Sequence, residues 1–250
     1  MPKLAVVIPA YNEAATIRDI AERALAHVAQ VIVVDDGSTD GTAAALTGLP
    51  LTLISNPANL GKGASLWRGF ALALAEGADA VITLDGDAQH RPEDIPRLAA
   101  AARAQPGRII VGARLWDRGH VPPLRYFGNR FANFWVAWAA GFPVADSQSG
   151  FRLYPAAVLA SIKVAHGPGA RFAFESEFLI EAGRAGVRSA AVPIAALYPP
   201  RARPSHYRTA IDTLRITRMI AWKLLSRGLD LPRLVRSLSL ARSDVLTTRL

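Results

Sequence analysis

TLDGDAQHRPED, residues 83–94, continues the apolar run Ala80, Val81 and Ile82 and reads as a buried strand that ends in carboxylates. Partly β-branched apolar runs of this kind suit a parallel strand covered on both faces. Asp85 and Asp87 project to the same side of an extended backbone, because strand side chains alternate. Gln89 adds a neutral oxygen two residues on. Hard divalent cations such as Mg²⁺ take a few such oxygens together with phosphate oxygens and water. The expectation is a metal held at the carboxyl end of a strand and shared with a diphosphate. A bare D-x-D also fits a solvated turn; its position after a buried strand favours the metal.

Strand and helix patterns alternate on both sides of this stretch. Strands are expected at Leu4–Pro9, Val31–Asp35, Leu51–Ile54, Ala80–Asp85 and Arg108–Val111, with helices at Glu13–Ala29, Thr42–Thr47, Gly63–Glu76 and Pro92–Ala104. Such alternation predicts a mostly parallel sheet with helices on both faces. Ligands of these sheets bind beyond the carboxyl ends of the strands. The polar clusters Tyr11-Asn12-Glu13, Asp35-Asp36-Gly37-Ser38 and Asp85-Gly86-Asp87 fall there. The second half is less regular. Leu124–Ala140 is helical, with Phe127, Phe131, Phe134, Trp135 and Trp138 on one face. A helix at Ala173–Ala185, a strand at Ala190–Ala196 and a helix at Asp212–Leu225 follow. Pro232–Arg242 reads either as a short basic helix or as disordered.

Four further segments carry candidate chemistry. VVDDGSTDGT (33–42) delivers two adjacent carboxylates into a glycine-containing turn; one of them can accept hydrogen bonds from a nucleobase or a ribose. In IPAYNEAATI (8–17), Tyr11 can lie against a base and Glu13 can accept from ribose or base, or Glu13 simply suits a helix N-terminus. NPANLGKGAS (56–65) places Lys62 between Gly61 and Gly63 at a helix start, which suits an anion, although it does not match the P-loop pattern. FAFESEF (172–178) sets Glu175 and Glu177 before a helical run, as acceptor-orienting or basic groups or as a solvated helix start. Arg152 is expected to be half of a structural ion pair.

The chain has 250 residues, no cysteine and a formal net charge of +9. Residues 201–250 hold eleven arginines or lysines against three aspartates, so the first 200 residues are nearly neutral. A basic tail on a neutral domain points to an anionic surface, lipid before nucleic acid. No apolar stretch reaches membrane-spanning length, and no export leader is read at the start. A cytoplasmic location is expected.

IPAYNE, DDGSTDGT, N-x-G-K-G, LDGDAQHRPED, GAR and DSQSGFRLY stand in one order along residues 4–205. Together they resemble family 2 glycosyltransferases of the GT-A fold, above all the dolichol-phosphate mannosyltransferase and polyprenyl-phosphate glycosyltransferase group. The resemblance implies an α/β, Rossmann-like, mostly parallel mixed sheet flanked by helices. The catalytic domain would span 1–207, with an acceptor or interface helix at about 124–140 and a basic helical extension at 208–250. It implies that Pro9, Tyr11, Glu13, Val34 and Asp36 hold the nucleoside of a nucleoside diphosphate sugar. Lys62, Asp85, Gly86 and Asp87 join the donor site, and Asp87, Gln89 and Asp85 would take Mg²⁺ or Mn²⁺. Arg114 and Arg201 would lie by the donor phosphates, and Arg125 and Asn129 by the phosphate of a lipid acceptor. One departure stands out: the lysine expected a few residues after Arg201 is replaced by Tyr207.

The expected activity is inverting transfer of a sugar to a polyprenyl-phosphate lipid by a protein lying peripherally on the inner face of the membrane. A phosphate nucleophile needs no strong base; a hydroxyl acceptor would, and Glu175 is then the candidate. A hydroxyl-directed transferase, a nucleotidyltransferase and a non-enzymatic anionic-surface module are the alternatives. The tail carries no nucleic-acid-binding motif, so no nucleic-acid partner is expected.

Overall fold

The computed structural model describes residues 2–114, 123–164, 174–195, 197, 209–226 and 228–238, with backbone alone at 123–127 and 209–215. Strands β1 (Leu4–Ala10), β2 (Gln30–Asp35), β3 (Thr52–Ser55), β4 (Ala80–Thr83), β5 (Ile109–Ala113), β6 (Arg152–Pro155) and β7 (Ser189–Pro193) form one sheet in the order β3-β2-β1-β4-β6-β5-β7. Every pairing is parallel except those of β6, which runs antiparallel between β4 and β5.

Both faces of this sheet are covered, which explains its continuous apolar runs. Along β1, Val6 and Ile8 meet helices α1 (Ile17–Leu25) and α4 (Ile95–Ala104) through Ile17, Ile20 and Leu98. Ala5 and Val7 face the opposite layer. That layer contains α3 (Lys62–Ala75), α5 (Pro123–Ala140), α7 (Phe174–Arg184) and α8 (Thr209–Leu225), which contribute Phe70, Val136, Phe178 and Ile220. Gly69 of α3 lets the helix approach the sheet: a Cβ there would lie 3.3 Å from Val34 Cγ2 and closer still to Val7.

The C-terminal helices join this core. Ile216, Ile220 and Leu224 of α8 are buried in it. Lys223 pairs with Glu177 at 3.1 Å and with Glu181. A following helix, α9 (Leu231–Leu238), packs on α5, where Trp138 Nε1 donates to the Asp230 carbonyl at 3.1 Å.

The parallel αβ reading holds for β1 to β5, with ends shifted by a few residues. Two elements are absent from the sequence reading: β6 and the short helix α6 (Ala156–Ser161). RLYP is four residues long and opens on arginine, so no apolar period marks it. Arg152 also corrects an expectation, because its guanidinium is fully buried and is held by carbonyls. Nε donates to Ser149 O at 2.8 Å, Nη1 to Glu175 O at 2.7 Å and Nη2 to Ser147 O at 2.8 Å. The aromatic stripe of α5 splits: Trp135 and Trp138 pack against the core, whereas Phe131 and Phe134 are exposed.

Replacing Arg152 by Met would remove three hydrogen bonds from a charged donor to buried carbonyls, each worth about 1.5–3 kcal/mol. Arg152→Met is expected to lower unfolding free energy by at least about 3 kcal/mol in urea titration. A loss under 1 kcal/mol would show that water takes over these bonds.

Candidate active site

The carboxyl ends of β1, β2 and β4 converge, and the turns beyond them are tied together. Asp36 N donates to Ala10 O at 2.8 Å, joining β2 to β1. Thr42 Oγ1 accepts from Glu13 N at 2.8 Å, and Asn12 Oδ1 accepts from Thr39 N at 2.8 Å. Thr16 Oγ1 donates to Gly86 O at 2.6 Å, fastening the 85–87 turn to the start of α1. A Cβ at Gly86 would lie 3.5 Å from Glu13 Cγ and 3.6 Å from Pro9 O. Pro9, Glu13 and Gly86, separate in sequence, are therefore neighbours.

Asp36 organises the loop before α3. Its Oδ1 accepts from Asn56 Nδ2 at 2.7 Å and Leu60 N at 2.9 Å, and its Oδ2 from Gly61 N at 2.8 Å. The anion at the N-terminus of α3 is thus supplied by the protein itself. Val34 is fully buried in the core, so its side chain lies below the cleft rather than in it.

Lys62 connects the two halves of the site. Its Nζ lies 2.6 Å from Asp85 Oδ1 and 2.5 Å from Glu175 Oε1. Burial alone would lower its pKa, but the two carboxylates outweigh burial and raise it above the usual lysine value. Asp85 moves the other way: burial pushes it up, and Lys62, with His90 and Arg114, draws it below the ordinary range. Asp87 differs from its neighbour. Burial, then the charge of Asp85, pushes its carboxyl up to about 6. Between Asp87 and Gln89 the chain turns through Ala88 at φ 60°, and Gln89 N donates to Asp87 Oδ1 at 3.1 Å. His90 is buried against Phe151; burial, with Arg114, lowers its imidazole to about 4, so it is neutral at pH 7.

Arg114 follows β5 and reaches the same region. Its Nε and Nη2 donate to Asp146 Oδ2 and Oδ1 at 3.0 and 3.3 Å. Asp146 is fully buried; burial opposes its ionisation, but Arg114 outweighs burial and holds the carboxyl below its usual range. The next loop closes on Asp85: a Cβ at Gly150 would sit 2.7 Å from Asp85 Cγ.

The structure therefore brings Pro9, Glu13, Asp36, Lys62, Asp85, Gly86, Asp87, Arg114 and Glu175 to one end of the sheet. Arg201 and Tyr207 lie outside the described residues, as does the Arg125 side chain. Asn129 is half-buried on α5. Asp146 and Gly150 were given no role from sequence; their only signal was membership of the DSQSGFRLY segment. Among the described residues no three His, Cys, Asp or Glu side chains form a metal cluster. The donor set nevertheless fits a hard cation that brings phosphate oxygens with it. Asp87 is a half-buried carboxyl whose ionisation is opposed by desolvation and by Asp85, so a cation beside it is favoured, and Gln89 lies on the same turn.

The glycosyl transferase family 2 model matches residues 5–156. A UDP-N-acetylglucosamine–dolichyl-phosphate N-acetylglucosaminyltransferase of Methanococcus voltae is 28% identical over 214 residues, covering 77% of this chain and 85% of that protein. A polyprenol monophosphomannose synthase of Mycolicibacterium smegmatis is 30% identical over 200 residues, covering 76% and 75%. Among solved structures, glucosyl-3-phosphoglycerate synthase of Mycobacterium tuberculosis, in complex with Mn²⁺, UDP and phosphoglyceric acid, superposes with a TM-score of 0.64. It is 27% identical and covers 90% of this chain and 78% of that one.

Two variants test the supports of the site. Asp146→Asn is expected to lower stability at pH 7 by about 1.5–3 kcal/mol, the range for a charged hydrogen bond. The folded pKa of Asp146 is depressed, so the unfolded state binds the extra proton. The stability gap between wild type and variant is full above about pH 4 and closes as pH falls through the lower folded-state value. A gap that persists undiminished in acid would contradict the pairing. Gly150→Ala is expected to push the Asp85 carboxylate aside and cut turnover, with the far-UV circular dichroism spectrum unchanged.

Proposed function

Since the chain belongs to glycosyltransferase family 2 and is a glycosyltransferase with a GT-A-type sheet, we propose that it moves one sugar from a nucleoside diphosphate sugar to a polyprenyl-phosphate lipid, with inversion and with a divalent cation. The observation that carries this reading is the unequal pair Asp85 and Asp87 at the end of β4: one carboxylate neutralised by Lys62, the other pushed up to about 6. The named activities of the relatives support a lipid-phosphate acceptor.

Pro9, Tyr11 and Glu13 are proposed to line the nucleoside end of the cleft, while Asp36, buried beneath it, acts by holding the loop before α3. Asp87 and Gln89, with Asp85 beside them, would hold Mg²⁺ or Mn²⁺, which when bound supplies positive charge to the departing diphosphate. Arg114, fixed by two bonds to Asp146, adds a guanidinium that costs little to orient during reaction. Arg201 is proposed as its partner. Arg125 and Asn129 on α5 are proposed to receive the acceptor phosphate. A phosphate oxygen is already ionised at neutral pH, so positioning replaces base catalysis. Glu175 Oε1 is taken by Lys62, which also favours an acceptor that needs no base. The extension at 208–250 is proposed to face the membrane; among the described residues no helix is long and apolar enough to cross one. Peripheral attachment on the cytoplasmic side follows from this reading.

A second reading is favoured by the likeness to glucosyl-3-phosphoglycerate synthase, seen with phosphoglyceric acid: transfer to a hydroxyl of a small phosphorylated acceptor, with Glu175 as base. The two are separated by offering short polyprenyl phosphate and 3-phosphoglycerate with UDP- and GDP-sugars and following nucleoside diphosphate release. Turnover with polyprenyl phosphate is expected. Asp87→Ala is expected to reduce it by about a hundredfold or more, and to weaken Mn²⁺ binding measured by electron paramagnetic resonance. Pyrophosphate in place of nucleoside diphosphate would overturn both readings.

A further inference from the structure

Helix α9 turns three of its four large apolar residues outward, with Leu234 alone half-buried. Its buried residue is Ser237, and Arg233 on the same side pairs with Asp230 at 3.1 Å and lies over Gly141. Leu231, Val235 and Leu238, spaced four and three residues apart on the other face, point to solvent. Val235 is 69% exposed. In a helix that merely completes a core, the apolar face packs inward. The outward face continues into α8, where Ile216, Ile220 and Leu224 are buried while Trp222, 72% exposed, and Leu225 face out; Leu229 joins them in the connecting turn. Six of the nine exposed large hydrophobic residues among the described residues thus fall within Trp222–Leu238. Phe131 and Phe134 add two more on α5, which packs against both helices.

The charge of this segment selects its partner. Residues 201–250 carry almost all of the chain's excess positive charge, and Arg218 is exposed on α8. An apolar face on a segment whose sequence is this basic matches an anionic bilayer, where rings and aliphatic chains enter the headgroup boundary and arginines meet phosphates. A second copy of the same chain would bring the same positive charge against it. We propose that the outward face of α8 and α9, centred on Trp222, Leu231 and Val235, is a membrane-docking surface that lies flat on anionic lipid. The proposal deepens the lipid-phosphate reading and rests on it for the purpose of docking, not for the binding itself.

The test uses the full chain and vesicles free of any polyprenyl phosphate. The protein is expected to co-sediment with phosphatidylcholine–phosphatidylglycerol vesicles, more weakly with phosphatidylcholine alone, and less as salt is raised. Leu231→Glu/Val235→Glu changes two exposed side chains, so the melting temperature is expected to stay within about 2 °C, while the bound fraction falls about tenfold or more. Sugar transfer to a short soluble acceptor is expected to be unchanged, and transfer to a long-chain acceptor in vesicles to drop. Absence of vesicle binding, or equal binding by the double variant, would overturn the proposal. So would a wild-type dimer that the double variant converts to monomer, since the face then belongs to a second copy. Vesicle binding as expected, with no turnover on any lipid phosphate, upholds the surface and removes the acceptor reading.

Discussion

Carboxylates gathered at the mouth of a sheet repel one another, and the surroundings of Asp85 and Asp87 compensate that repulsion unequally. Lys62 lies within 2.6 Å of Asp85 and holds it ionised. Asp87, receiving a backbone N–H from Gln89, stays under the influence of both burial and its neighbour's charge. One acid is neutralised from within the fold; the other is left receptive to a cation from outside. In the proposed reaction, this inequality is what admits a still more negative ligand to an acidic cleft.

The same lysine binds the cleft to the opposite layer. Glu175 shares Lys62 through its side chain and receives Arg152 through its carbonyl. Arg152 in turn fixes Ser147 and Ser149, and the loop they belong to carries Asp146 against Arg114 and Gly150 against Asp85. The 146–150 loop, the start of α7 and the end of β4 are therefore tied to one another. A substitution in any one of them is felt at the acids.

How much of this was readable from sequence depends on where the partners lie. Strands β1, β2 and β4 announce themselves because burial on both faces leaves uninterrupted apolar runs, and their polar ends mark the cleft. The acidic pair at 85 and 87 is a local signal too, although it lies in the turn after β4 and not, as alternation along a strand suggests, on extended backbone. Strand β6 gives no such signal, because its leading arginine is satisfied by carbonyls of residues 147, 149 and 175 that no pattern near it reveals. Lys62 sits among glycines that suit an anion, yet in the folded chain its ammonium lies between carboxylates from β4 and α7. Helix α9 has a clear amphipathic period, but a period alone cannot say which face the rest of the molecule will cover.

Strand β6 also sets a width. It runs against its neighbours, so its first residues stand at the same rim as the last residues of β4 and β5. Adjacent strands lie roughly 4.8 Å apart, so the one inserted strand separates the acidic bank at β4 from the guanidinium beyond β5 by about 10 Å of sheet. Were β5 paired directly with β4, Arg114 would be drawn a full strand closer to the acids, and the aperture between the banks would narrow by half. The reversed strand is thus a spacer between the two banks, and Gly150, just ahead of it, leaves the Asp85 carboxylate the room it occupies.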